Sequence, residues 1–187
     1  MKLIILLLMS KNMPTSLENH KDNIKDIVEK YGVETVLELG LETGIATEEF
    51  LKCGIKVDTI DIKRSVDTEN RIKSKGLDKN WYFILGDVET LLPKITKQYD
   101  LVYMDITYYD GKFEYGSGEA LDYGRKCWKR DIEICWKVAS KVLVVNDYIN
   151  DCNKRTAPCL EINRFACKVN RFFRVYPTRG GMAVICK

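Results

Sequence analysis

The chain of 187 residues carries 30 Lys and Arg against 27 Asp and Glu, a net charge of +3, and 45% of its residues are hydrophobic, which is ordinary for one globular domain with a sizeable core. Its seven cysteines form no C-x-x-C pair and are odd in number, so we expect reduced thiols in a cytoplasmic protein and neither a disulfide framework nor a zinc site. The one histidine, His20, precedes the first predicted strand, which excludes chemistry built on histidine.

Charge is distributed unevenly along the chain. Residues 1–124 hold 16 basic and 22 acidic side chains, a net charge of −6, while residues 125–187 hold 14 and 5, a net charge of +9. The basic part predicts either a surface for an anionic substrate, nucleic acid included, or ordinary solvated helix faces. Both interpretations stay open at this stage.

An apolar run over residues 3–9 opens the chain. It is too short to span a bilayer, which needs about 20 residues, and no small-residue cleavage site follows it, so we expect no membrane association. We interpret residues 1–13 as a buried terminal segment, or a dispensable one if translation starts at Met9 or Met13, and residues 14–187 as a single domain. Thr15 and Glu18 have capping-box spacing and begin a predicted helix that ends near Gly32.

A short apolar run at 35–39 predicts a buried strand, and Gly40 and Gly44 follow it. Glycines in this position predict a tight turn that a ligand can approach closely, and the helix predicted from about residue 46 to 52 would point its free N–H groups at that ligand. A dinucleotide-binding loop needs a third glycine, but Glu42 stands where one would be expected. The spacing therefore disfavours a nicotinamide cofactor.

The next strands each end in an acid. The strand predicted at 55–60 is followed by Asp61, which stands 17 residues after Gly44, near the distance at which doubly wound folds present a carboxylate to ribose hydroxyls. Asp58 competes for that role, but its place inside the strand disfavours it. A strand at 81–85 leads to Gly86 and Asp87, and a strand at 99–105 ends in Asp105 at the carboxyl edge, where open α/β sheets bind ligands.

The remaining elements follow a long loop. Residues 106–118 combine three glycines with aromatic residues and are either a substrate lid or an ordered surface loop. A helix at 119–139, a strand at 142–145, a helix at 160–169 and a hairpin of strands 172–176 and 182–186 complete the chain. The aromatic residues of the loop that could wall an acceptor pocket are Tyr108, Tyr109, Phe113 and Tyr115.

The pattern E-x-G-x-x-x-G from Glu38 to Gly44 resembles motif I of the class I S-adenosylmethionine-dependent methyltransferases, in the variant of the catechol- and caffeoyl-CoA-type O-methyltransferases. Four stretches between residues 34 and 105 match the family's motifs in order. The resemblance implies an α/β fold, a Rossmann-like three-layer sandwich with a mostly parallel seven-stranded sheet, strand order 3-2-1-4-5-7-6, and a final antiparallel hairpin.

The same resemblance implies S-adenosylmethionine as cofactor. Asp61 would bind its ribose, Asp87 would approach the adenine amino group, and Val88 would pack on the adenine ring. The implied cofactor-binding residues are Glu38, Gly40, Leu41, Gly44, Asp61, Ile62, Gly86, Asp87, Val88 and Asp105.

Methyl transfer needs an acceptor oxygen held in line with the methyl group and one nearby group to take its proton. Asp105 is the first candidate for that catalytic group and Tyr108 the second. Metal-dependent relatives carry an Asp-Asn pair after strand five, but here the order is Asn146-Asp147, so we assign no metal ligands, although magnesium would accept these oxygens and that of Asp105.

The expected activity is methyl transfer to an oxygen, or another nucleophile, of a small acceptor that is anionic or aromatic. An RNA methyltransferase that uses the basic C-terminal part is one alternative. A non-catalytic subunit that binds S-adenosylmethionine, or another enzyme that uses this cofactor, is the other.

Overall fold

The computed structural model describes residues 18–108, 117–146, 148, 157–176 and 181–187. Two short 3-10 turns, Asp78–Asn80 and Leu92–Lys94, flank the third strand and fourth helix. The helices and strands are α1 (Glu18–Tyr31), β1 (Thr35–Leu39), α2 (Ile45–Lys52), β2 (Lys56–Asp61), α3 (Val66–Ser74), β3 (Trp81–Leu85), α4 (Val88–Leu91), β4 (Tyr99–Met104), α5 (Gly118–Val138), β5 (Ala139–Val145), α6 (Ala157–Lys168), β6 (Phe173–Tyr176) and β7 (Met182–Cys186).

These strands form one seven-stranded sheet in the order β3-β2-β1-β4-β5-β7-β6. The first five strands are parallel, and β7 runs antiparallel to both β5 and β6. The predicted fold class, strand order and terminal antiparallel pair are therefore confirmed. The turn of that hairpin, at 177–180, and the segment 1–13 lie outside the described residues.

Alternating side chains of the strands supply two cores, one on each face of the sheet. In β4, Leu101 and Tyr103 face the layer of α1, α2 and α3, while Val102 and Met104 face α4, α5 and α6. Strands buried on both faces need near-continuous apolar sequence, which explains why β1, β4 and β5 read as short hydrophobic runs. The edge strand β3 is different, because Tyr82 is 66% exposed.

The element boundaries differ from the sequence predictions in informative places. Strand β2 extends to Asp61, whose backbone pairs with Leu85 of β3, so this acid is the last strand residue and does not follow the strand. Strand β5 begins at Ala139, three residues before the predicted start, because α5 leads into it without a loop. The capping residue Thr15 lies outside the described part, in which α1 begins at Glu18.

The six described cysteines, in positions other than 152, are free thiols, as expected. Among the described helices, none is both long and apolar enough to cross a membrane.

A glycine is required at position 40 because the backbone just after β4 passes close to the turn after β1. The φ of Gly40 is +91°, and a Cβ atom added there would overlap the backbone carbonyl oxygen of Asp105. Backbone cannot move aside as a flexible side chain can. The space that the missing Gly40 side chain leaves was predicted to serve a ligand, but the Asp105 carbonyl occupies it.

We expect Gly40→Ala to lower the free energy of unfolding by about 2–4 kcal/mol, since it adds both left-handed backbone strain and overlap with β4. Gly54→Ala is the matched control: Gly54 has φ +78° but open space around it, so only the strain, about 1 kcal/mol, applies. Urea unfolding of both variants measures the difference. Equal losses would show that the contact with Asp105 carries no constraint.

Candidate functional site

The predicted site residues stand side by side along the carboxyl edge of the sheet. After β3, β1, β4 and β5, the first residue beyond the strand donates its amide N–H to a carbonyl of the neighbouring strand. These four bonds are Gly86 N to Asp61 O (2.9 Å), Gly40 N to Ile60 O (2.9 Å), Asp105 N to Leu39 O (2.8 Å) and Asn146 N to Met104 O (2.9 Å). The structure thus brings the first residues after β3, β1, β4 and β5 into one row with Asp61, the last residue of β2.

The turn after β1 is fixed by hydrogen bonds from three sides. The N–H of Gly44 donates to the Leu41 carbonyl at 2.6 Å, and Thr68 and Arg71 of α3 both donate to the Thr43 carbonyl. Glu42, where a third glycine was expected, has φ +43°, a left-handed conformation that a glycine adopts at lower cost. Glu42 therefore has the backbone conformation typical of glycine, although it is not a glycine.

Gly44 is the N-cap of α2 and has no side chain to satisfy the free N–H groups of the first turn. A Cβ at this position would overlap the side chain of Thr68. The turn thus leaves unpaired donors facing the carboxyl edge, a preformed position for negatively charged or oxygen-rich ligand groups.

Asp61 binds the glycine turn directly. Its Oδ2 accepts from the N–H of Leu41 at 2.6 Å, and its Oδ1 accepts from the N–H of Lys63 at 2.9 Å. A carboxylate offers about four acceptor positions, so two backbone bonds leave room for ligand hydroxyls. Asp58, by contrast, already accepts from the Tyr99 hydroxyl and from the exposed Lys97, and both bonds go to its Oδ2.

Two exposed apolar side chains flank Asp61. Ile62 follows it and is 73% exposed, and Leu85, its backbone partner on β3, is 58% exposed. We call these two side chains the apolar shelf. A flat ring of a ligand could pack on them, because burying them removes apolar surface from water.

In the turn after β3, Asp87 and Val88 were expected to contact adenine, but both have contacts within the protein. Asp87 is the N-cap of α4, with its Oδ1 accepting from the Glu89 N–H at 3.0 Å. Val88 is only 5% exposed and belongs to the core, and the space at Gly86 is filled by Leu91. This burial disfavours Val88 as a ring contact and leaves Leu85 and Ile62 as the apolar surface.

Glu38 is a carboxyl group inside the protein. It is 1% exposed, and its Oε2 accepts from the hydroxyls of Thr47 at 2.6 Å and Thr59 at 2.7 Å. Burial raises its pKa to about 8: the two hydroxyls oppose this rise, and the charges of Asp105 and Asp61 add to it. In this structure Glu38 joins β1, α2 and β2 beneath the glycine turn.

Asp105 is bonded to the loop after β5. The Asn146 Nδ2 donates to its Oδ1 at 3.0 Å. Asn146 itself is 8% exposed, and none of the described residues donates to its buried Oδ1. A buried amide oxygen without a donor is costly and is typical of a position that a ligand satisfies. Asp147 lies outside the described residues, and within the described part of the chain no group of three His, Cys, Asp or Glu side chains is placed to hold a metal ion.

Tyr108, the second catalytic candidate, has a different partner. Its hydroxyl donates to Oδ2 of the fully buried Asp131 at 2.5 Å. Burial, the Asp131 charge and this hydrogen bond raise the pKa of Tyr108 well above its ordinary value. A group that takes a proton must first lose its own, so this environment disfavours Tyr108 as the base. The other aromatic residues of the loop, Tyr109, Phe113 and Tyr115, lie outside the described residues.

Sequence reasoning missed the arrangement that holds Tyr108. Arg130 donates through Nε and Nη2 to the two oxygens of Asp131, at 2.6 and 2.8 Å, and through Nη1 to Oε2 of Glu89 at 2.9 Å. We call Tyr108, Asp131, Arg130 and Glu89 the Arg130 network. It ties the loop after β4 to α4, which begins at the Asp87 turn.

The environment of Glu89 fits its place in this network. Burial raises the pKa of Glu89, but hydrogen bonds from Tyr123 and Arg130 outweigh it, and the net shift is downward. Glu89 is therefore an anion at neutral pH. The hydrogen-bonded pairs Tyr108–Asp131 and Arg130–Glu89 are 23 and 41 positions apart in sequence, so no local pattern could reveal the network.

Much of the basic charge after residue 125 is used within the fold. Ion pairs join Arg125 to Asp122, Lys141 to Asp100, Arg164 to Glu161 and Lys168 to Glu133. Lys137 and Lys141 lie where α5 passes into β5. This is the amino-terminal edge of the sheet, at the opposite end of the strands from Asp105. Lys154, Arg155 and Arg179 lie outside the described residues.

Comparisons with known proteins support the fold. No protein-family model matches the sequence, and no curated protein is significantly similar to it. Among solved structures, a Staphylococcus aureus protein provisionally assigned as a caffeoyl-CoA O-methyltransferase matches with a TM-score of 0.66 at 14% identity, covering 89% of this chain and 82% of that one. The chain has the fold of the class I methyltransferases.

Two further structures with this methyltransferase fold were determined with a bound cofactor or product. TomG, an O-methyltransferase of tomaymycin synthesis from Streptomyces achromogenes in complex with SAM, matches with a TM-score of 0.61 at 15% identity, covering 94% of this chain and 82% of its own. An O-methyltransferase from Bacillus cereus in complex with SAH gives 0.60 at 14% identity and covers 94% and 83%. At these identities the likeness concerns the fold.

Replacing Arg130 tests how strongly its network holds the methyltransferase fold together. We expect Arg130→Gln to lower the free energy of unfolding by about 2–3 kcal/mol, because the fully buried Asp131 loses its charged partner, a cost discounted here for the 39% exposure of the Arg130 side chain. The control Arg125→Gln breaks a pair with the 69% exposed Asp122 and should cost under about 1 kcal/mol. Equal values in chemical unfolding would contradict a structural role for the network.

Proposed function

We propose that this protein is an S-adenosylmethionine-dependent methyltransferase that acts on an oxygen, or another nucleophile, of a small acceptor. The observation that carries the proposal is the position of the glycine turn. Strand β1 lies between β2 and β4, so the connections after β1 and after β3 lead to opposite sides of β1 in the sheet. Ligands of open α/β sheets bind at such a topological switch point. Asp61 and the apolar shelf adjoin it.

The residues fit this cofactor better than a dinucleotide. Asp61 would accept hydrogen bonds from the ribose hydroxyls, and the apolar shelf would pack against adenine. The amino-acid part would bind at the turn from Gly40 to Gly44, beside Leu41, where the first turn of α2 has amides without a side-chain cap. When bound, the cofactor supplies a methyl group on a positively charged sulfur. Structural neighbours bound to SAM or SAH support this assignment.

We assign the catalytic role to Asp105. It stands at the end of β4, beside the switch point, and its Asn146 partner fixes one of its oxygens. A carboxylate there can orient the acceptor hydroxyl and take its proton as the methyl group transfers. Tyr108, anchored on Asp131, would act instead as part of the acceptor wall.

Two features bear on metal dependence. The oxygens of Asp105 and Asn146, including the Asn146 Oδ1 to which none of the described residues donates, could bind a divalent cation together with Asp147. The reversed order of Asn146 and Asp147 relative to metal-dependent relatives argues the other way. We therefore propose a reaction without a metal and keep magnesium as a test condition.

A small acceptor agrees best with the charge distribution. Arg130 is occupied by two carboxylates, and Arg125, Lys141, Arg164 and Lys168 each form an ion pair with an acid. Lys126 and Lys129 of α5 are exposed and are the described basic side chains that an anionic acceptor could still use. RNA remains the alternative acceptor, and a non-catalytic subunit or another enzyme with the same cofactor remains the alternative function. A cytoplasmic location stays a prediction from the cysteine content.

The cofactor assignment predicts a specific loss of binding. Asp61→Asn should weaken S-adenosylhomocysteine binding by about 10- to 100-fold, as expected for losing charge-assisted hydrogen bonds. The control Asp67→Asn changes an exposed acid in the first turn of α3 and should bind as the wild type does. Calorimetry with S-adenosylhomocysteine and with NAD gives both values. Tighter binding of NAD would overturn the cofactor assignment.

The activity is tested with methyl-labelled S-adenosylmethionine and a cell extract, with and without magnesium. Label in a small molecule supports the proposal, and label in RNA would select the alternative. In that case the log of the RNA affinity should fall by about 0.7 per neutralised phosphate for each unit rise in log salt concentration. Asp105→Asn should lower the transfer rate by about 10²- to 10⁴-fold and change S-adenosylhomocysteine affinity little. Tight binding without transfer into any fraction would favour a non-catalytic subunit.

A further inference from the structure

Glu38 is the most deeply buried acid at the proposed site. It lies two residues before Gly40, and α2 and β2 present hydroxyls to it, those of Thr47 and Thr59. In the described residues, no Lys or Arg forms an ion pair with it. Two acids, Asp61 at the end of β2 and Asp105 after β4, act on it by charge and raise its pKa further.

The hydrogen-bond pattern assigns a position for the proton. The indole Nε1 of Trp81 donates to Thr59 Oγ1 at 2.9 Å, so the Thr59 hydroxyl uses its own hydrogen toward Glu38 Oε2. Thr47 donates to the same oxygen. Oε2 is thus an acceptor twice over, and a proton held by Glu38 resides on Oε1.

An unpaired buried carboxyl among other acids favours its neutral form. This is the physical meaning of the pKa of about 8 that burial and the neighbouring acids produce. A positive charge that arrives at the turn reverses the preference, because a cation in a site of low dielectric constant stabilises the carboxylate strongly.

We propose that Glu38 is a specificity-determining residue that discriminates between cofactor and product by charge: it releases its Oε1 proton to solvent when a sulfonium ligand binds, and retains it when the ligand is the neutral thioether. This inference rests on the proposed function and adds a proton to the binding equilibrium. S-adenosylmethionine would then bind to a negatively charged Glu38, whereas S-adenosylhomocysteine would bind to a neutral one.

The linkage has a definite sign. Below the pKa of Glu38 the free protein must give up a proton before the cation can bind to the carboxylate, so affinity for S-adenosylmethionine rises with pH by up to about tenfold per unit. The rise ends once pH exceeds that pKa. Affinity for S-adenosylhomocysteine stays level, so the ratio of the two affinities grows with pH.

Calorimetry on the full chain measures both effects. S-adenosylmethionine and S-adenosylhomocysteine are titrated between about pH 6 and pH 8, in pairs of buffers with different ionisation enthalpies. The proposal expects release of close to one proton per S-adenosylmethionine near pH 7 and close to none for S-adenosylhomocysteine. This measurement needs no variant and no acceptor.

Glu38→Gln isolates the group responsible. Glutamine keeps an oxygen for Thr47 and Thr59 but cannot titrate, so the component of proton release due to Glu38 should vanish, while titration of the ligand's own amino group remains. Glu34→Gln, an exposed neighbour before β1, should keep the wild-type pH dependence. Circular dichroism verifies that both variants fold.

The outcomes separate the two proposals. If both ligands bind with the same pH dependence in wild type and Glu38→Gln, Glu38 does not discriminate by charge, and the proposed function stands without it. If neither ligand binds to the wild-type protein, the proposed function fails and this inference fails with it. Proton release on S-adenosylmethionine binding that is lost only in Glu38→Gln would establish the role.

Discussion

The row of backbone hydrogen bonds at the carboxyl edge is the constraint on which the site depends. Each bond places one residue beyond a strand against its neighbour, so the acids that end β2 and follow β4 are held on either side of the β1 turn. Gly40 has no side chain because the Asp105 carbonyl occupies its place. The position of the proposed catalytic acid is therefore fixed by the glycine of the neighbouring turn.

The helices add a second tie across the same edge. Arg130, from the middle of α5, holds the segment after β4 through Asp131 and the start of α4 through Glu89. Asp131 is fully buried, whereas Arg130 and Glu89 are partly exposed, so this tie runs from the interior to the surface of the protein. The segment after β4 and the start of α4 are thus joined by side chains, although they follow different strands of the sheet.

Sequence patterns predicted most of the architecture because the information is local. Apolar runs, glycines and strand-end acids lie close together in the chain, and β1, β3 and β7 begin and end where predicted. The roles of Glu38 and Tyr108 could not be predicted, because their environments are made by residues distant in sequence. Glu38 reads as a motif residue, yet its partners come from α2 and β2, and Tyr108 reads as a candidate base, yet Asp131 holds its proton in place.

Trp81 stands at the outer end of the chain of hydrogen bonds that starts at Glu38. Its indole N–H bonds to Thr59, its ring meets Phe83 edge-on, and it lies half-buried on the edge strand. A change of charge on the buried carboxyl alters the polarisation of both hydrogen bonds. The emission of an indole responds to the electric field around it. Ionisation of Glu38 would therefore change the fluorescence of Trp81, which is joined to it through Thr59.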